Sequence, residues 1–102
     1  MRHLGKLSGG GTLKCNGQEV ARASYDFDGF LRGSFDVTCS GEIRLAAEAL
    51  KSVFARKGVQ LLTDDGRLLD LRFTARGLQS APDVAHVDVS GELPTTRQGW
   101  HQ

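Results

Sequence analysis

The sequence predicts an α+β fold. A mostly antiparallel six-stranded sheet, curved or half-closed into a barrel, carries one amphipathic helix, in the order βββ-α-βββ. Three observations carry that expectation. Asn16-Gly17, Asp28-Gly29 and Asp65-Gly66 punctuate apolar runs, and such dipeptides supply the positive φ of hairpin turns. Apolar residues recur at odd-numbered positions over most of the chain, the period of a half-buried strand. One stretch alone, at about 41–57, switches to the helical period.

The turns admit a two-residue loop or a three-residue loop closed by a glycine bulge. The longer loop sets Leu13 opposite Glu19, Gly11 opposite Ala21, Tyr25 opposite Leu31 and Leu61 opposite Leu69, so odd positions share one face. The shorter one mixes Arg22, Asp26 and Asp70 into that face, so the three-residue loop is expected throughout. Strands over 12–16, 19–27 and 31–39 then form a meander with Leu13, Ala21, Ala23, Tyr25, Phe35 and Val37 inward.

From 42 to 57, Ile43, Ala46, Ala47, Leu50, Val53 and Phe54 make one apolar helical stripe. Ser40 is placed to cap it, Glu42 suits its first turn, Arg56 and Lys57 its last, and Gly58 stops it. A hairpin over 59–63 and 67–76 buries Val59, Leu61, Leu69, Leu71 and Phe73. Residues 77–83 read as a loop. The last strand, 84–93, turns Val87, Val89 and Leu93 inward and is closed by Pro94. Residues 36–43 echo 88–93 with two residues deleted, a faint trace of a repeated three-stranded unit.

A chain of 102 residues is the size of one domain, expected over 11–94 between a flexible lead-in at 1–10 and a polar tail at 95–102. The composition is that of an ordinary globular protein, 39% hydrophobic and 25% charged. The net charge of +1 lacks the basic excess of a nucleic-acid binder. No apolar run reaches the roughly 20 residues of a membrane span, and two unpaired cysteines suit a reducing cytoplasm. A soluble cytoplasmic protein is expected.

Most chemical motifs dissolve on inspection. Ser8-Gly9-Gly10-Gly11 lacks the strand before it and the GK[ST] after it that a phosphate loop needs. Asp26 and Asp28 match two positions of a calcium loop, but the twelfth would be Phe35, which offers no ligand. His3, His86 and His101 are scattered and no CxxC exists, so no metal or other cofactor is implied. Cys15 and Cys39 fall on strands with a third between them, roughly 10 Å apart, too far for a disulfide. Cys39 just before the expected helix is placed for a lowered pKa, although buried small-residue packing is the commoner fate of such a cysteine. His86 and Asp88 share a face, two members of a triad without a third. Arg22, Arg32, Arg72 and Arg76 interleave with Asp26, Asp28, Asp36, Asp70 and Asp88 on the even face, a pattern of cross-strand pairing.

The departure from this patterning is apolar. Val20, Phe30, Leu62 and Leu68 occupy even positions, with Leu62 and Leu68 opposite each other. Such a cluster needs a cover: a second copy, another protein, or Trp100 folding back from the tail. The function expected is therefore a non-catalytic binding or assembly module, a homodimer among its forms, with Val20, Phe30, Leu62, Leu68 and Trp100 as its surface. The alternative is a small enzyme or ligand carrier with a pocket between helix and sheet, using Tyr25, Cys39 and His86.

Overall fold

The computed structural model describes residues 2–33, 36–54, 56–74, 82–91, 93–94 and 100. Phe35, Arg76, residues 77–81 of the expected loop and 95–99 and 101–102 of the expected tail lie outside the described residues. Six strands and one helix follow in order: β1 (Arg2–Cys15), β2 (Gln18–Arg32), β3 (Asp36–Arg44), α1 (Ala47–Val53), β4 (Val59–Thr63), β5 (Leu68–Phe73) and β6 (Val84–Gly91). The sheet is antiparallel and closes fully, in the order β1-β2-β3-β6-β5-β4 and back to β1. It is a closed barrel, where a curved sheet or half-open barrel was expected. Exchanging β1 with β4, β2 with β5 and β3 with β6 leaves that order unchanged, so two three-stranded meanders meet edge to edge at β3–β6 and β1–β4. The echoing segments fall on β3 and β6, which are neighbours.

Odd-numbered side chains fill the interior as the alternation requires. Leu13, Phe27, Ile43, Leu61, Leu69 and Val87 are all fully buried. The turns reach that result differently from expectation. Asn16 and Gly17 have φ of 52° and 84°, the two positive values of a two-residue type I′ turn, and Cys15 pairs with Gln18. That register would send Leu13 to the wrong face. A bulge corrects it: Lys14 pairs with Glu19 but Leu13 with Ala21, leaving Val20 as the extra residue. At the third turn the three-residue loop holds, with Leu61 opposite Leu69 and Gly66 at φ 95°.

The second expected turn does not exist. β2 runs straight through Asp28-Gly29, because the inward alternation Tyr25, Phe27, Gly29, Leu31 is unbroken and both flanking strands pair along it. The chain reverses instead beyond Arg32, where Gly33 has φ 63°. β2 has a partner this long because residues 2–10, expected as a lead-in, are strand and pair with residues 24–31. A second bulge, at Leu4, turns Leu4 and Leu7 into the core.

The expected helix loses its first third to the sheet. Residues 42–44 continue β3, with Ile43 paired to Tyr25 on one side and Ala85 on the other. Two ladders of hydrogen bonds outweigh one marginal turn of helix. Ser40 therefore lies within β3, and the N-cap is Ala46, which makes no side-chain capping bond. α1 ends at Val53, well before Gly58. Leu50 and Val53 join the core, Phe54 stacks on Phe73 at 5.2 Å, and the helix covers the barrel end where β3 stops and β4 begins.

Phe27 is 0% exposed, whereas Phe73 is only half-buried at the rim. Phe27→Ala is expected to cost about 3–5 kcal/mol in equilibrium urea unfolding, and Phe73→Ala distinctly less. Equal losses would contradict the placement of the core.

Candidate functional site

Leu62 lies opposite Leu68 on β5 and Thr12 on β1, on the outer face and half-buried. Neither leucine is among the described half-buried apolar residues that pack on the core. The other residues expected to share their surface are elsewhere. Val20 packs on the core because the bulge displaces it from the outer face. Phe30 lies opposite His3 and meets its ring at 5.2 Å. Thr12 lies nine residues along β1 from His3, roughly 30 Å at the strand rise, so Phe30 and Leu62 do not form one patch. Trp100 is 4% exposed and packs into the core against Gly29, so it covers neither leucine from outside.

The polar candidates do not converge either. Cys39 is in mid-β3, facing inward and 5% exposed, with β2 between it and Cys15; both thiols are free. It precedes no helix. Burial, reinforced by the charge of Asp28, pushes its thiol up to about 12, which fits the buried packing reading and not the activated one. His86 projects outward opposite Glu42, sharing the outer face with Asp88. Tyr25 lies across Gly9, its strand partner, with its ring 5.1 Å from that of Phe27. Burial raises its pKa first, and Asp65 and Asp64 add to the shift while Arg67 opposes it. Tyr25 also lines a shallow depression of about 230 Å³ with Ser24, Asp26, Glu42, Ile43, Arg44 and Val84. No residue of α1 lines it, so it is not the pocket expected between helix and sheet.

Several charged groups elsewhere on the outer face are paired. Lys6 reaches Asp26 and Asp28 at 3.6 Å, His3 meets Asp28 at 3.0 Å, and Gln60 donates to Asp70 at 2.8 Å. The two aspartates of the apparent calcium loop thus face Lys6 on β1. The strongest of these contacts is one that no sequence signal announced. Arg22 on β2 donates two 2.8 Å hydrogen bonds to Asp64 in the β4–β5 turn, a bidentate clasp across β1. Those bonds hold the Asp64 carboxyl below the usual carboxylate range. Beside the clasp Thr63 bonds Asp65, and the Asp64 amide donates to the Gly10 carbonyl at 3.0 Å.

Among the described residues no three His, Cys, Asp or Glu side chains are grouped as metal ligands, and no helix is long and apolar enough to cross a membrane. Comparison with protein-family models, with curated proteins and with solved structures gives no match.

Two measurements test this geometry. Iodoacetamide at pH 8 is expected to label Cys15 in the folded protein and Cys39 only on unfolding. Because the folded Cys39 pKa lies above its ordinary value of 9.0, the stability it contributes is present below pH 9 and lost as pH rises toward about 12. Rapid native labelling of Cys39 would contradict its burial. For Asp64, a carboxyl-detected NMR titration is expected to find a pKa below that of ordinary aspartates, returning to normal in Arg22→Ala. The clasp's contribution is then present above the ordinary carboxylate range and lost as pH falls through the lowered value.

Proposed function

We propose that this barrel is a non-catalytic binding or assembly module whose contact face is centred on Leu62 and Leu68, with a second copy of the chain as the first partner to test. The observation that carries it is the position of these two leucines. They stand opposite each other on the outer face, off the core, while Arg22, Asp64 and Asp70 beside them are already paired. An apolar centre inside a polar rim is the anatomy of a protein contact. Two leucines are its anchor rather than its whole area, since a stable dimer buries about 800 Å² on each partner.

The separation of Tyr25, Cys39 and His86 supports the same reading, because nucleophilic catalysis needs its groups within hydrogen-bond reach. The depression beside Tyr25 favours a ligand carrier, but about 230 Å³ falls below the usual range of small-molecule sites.

Sedimentation velocity across a concentration series, paired with native mass spectrometry, decides between them. The expected result is a concentration-dependent dimer that Leu62→Arg converts to monomer, with unfolding free energy within about 0.5 kcal/mol of the parent when both are measured at concentrations where the parent is monomeric. A monomer at every concentration would overturn the self-association proposal. A monomer carrying a small-molecule adduct would favour the carrier.

A further inference from the structure

Trp100 is the chain's single tryptophan, and it stands in an otherwise polar tail. It is nonetheless among the buried residues of the core. Its six-membered ring lies so close to Gly29 that a Cβ there would overlap it. Gly29 is flanked in the sheet by Gly5 on β1 and Cys39 on β3. These three residues form a row across three strands, roughly 10 Å wide at strand spacing, with almost no side chain to fill it. The buried indole N–H has no hydrogen-bond partner among the described residues. Shape and apolar contact hold the ring, and an orphan donor weakens that hold.

A core residue selected for packing alone would not bring an unsatisfied polar atom with it, and leucine or phenylalanine would avoid the loss. We propose that the Gly5–Gly29–Cys39 row is a binding site for a planar, uncharged aromatic group of indole size, which Trp100 fills in cis. Trp100 acts as an occupant supplied by the chain itself, buried against Gly29. A free aromatic ligand therefore competes with Trp100, and withdrawal of Trp100 exposes the site. This proposal is independent of the Leu62–Leu68 face.

The test uses the full chain and indole as the probe. Trp100→Ala is expected to remain folded with a lower melting temperature. Calorimetry should find indole binding to this variant at least tenfold more tightly than to the parent, where the tail occupies the site. Saturating indole should raise the variant's melting temperature and leave the parent's almost unchanged. Adding Gly29→Ala to Trp100→Ala should abolish the binding. In the parent background, Gly29→Ala should shift emission of the sole tryptophan toward that of indole in water. Equal indole affinity of parent and Trp100→Ala, binding that survives Gly29→Ala, or unchanged emission would each overturn the proposal. So would a Trp100→Ala chain that cannot fold, because Trp100 would then be an integral core residue and not the occupant of a separable site.

Discussion

Pairing of β1 with β4 closes the sheet, and the interior, the turns and the placement of every outer residue follow from that short ladder. It runs from Gly11 opposite Thr63 to Cys15 opposite Val59, with Leu13 and Leu61 facing each other at its centre, both fully buried. Backbones approach closely here. A Cβ on Gly11 would stand 2.6 Å from the Leu62 carbonyl oxygen, which only glycine avoids without movement of the chain. The Arg22–Asp64 clasp and the Asp64 amide bond to Gly10 lie just beyond the ladder and hold the β4–β5 turn against β1. Closure leaves odd positions no alternative to the interior, so an error of one residue in any register would put charges inside.

That constraint explains which features were legible in the sequence. Alternation identified Leu13, Leu61, Leu69, Leu71, Val87 and Val89 as interior, and the β4–β5 hairpin was legible down to its register, because turn chemistry and side-chain pattern agree there. Where the two disagree, the face wins and the turn adapts. At Asn16-Gly17 the turn keeps its two residues and a bulge at Val20 restores parity. At Asp28-Gly29 the dipeptide was a false signal, since its glycine makes room for Trp100. Ser8-Gly9-Gly10-Gly11 resembled a linker for a related reason: glycines that permit close approach across a barrel look the same in a sequence as glycines that permit flexibility. The helical stripe began too early because Ile43 satisfies a period of two as well as a period of 3.6, and only the pairing partners separate the two.

The candidate surface was legible in part. Leu62 and Leu68 are outward and opposite, as the alternation implies, but Val20 and Phe30 shared only their parity. Parity is a local property of a strand, whereas a patch requires positions along neighbouring strands to coincide, which demands the three-dimensional register. The same distinction dispersed Tyr25, Cys39 and His86. Each is a chemically able side chain, yet one borders an open depression, one is sealed inside and one faces out.

The two-meander layout also has a consequence for how the molecule assembles. Each hairpin forms from neighbours in sequence, but both seams of the barrel join strands that are distant along the chain, at separations of 40 to 52 residues. Neither meander can hide its outer edges alone, so until both seams zip, four strand edges stand open to any other chain. The rate of seam formation therefore governs how long a newly made molecule is vulnerable to aggregation. The clasp between Arg22 and Asp64, weak as any exposed ion pair must be once folding is complete, lies beside one of the two seams where open edges have to be caught.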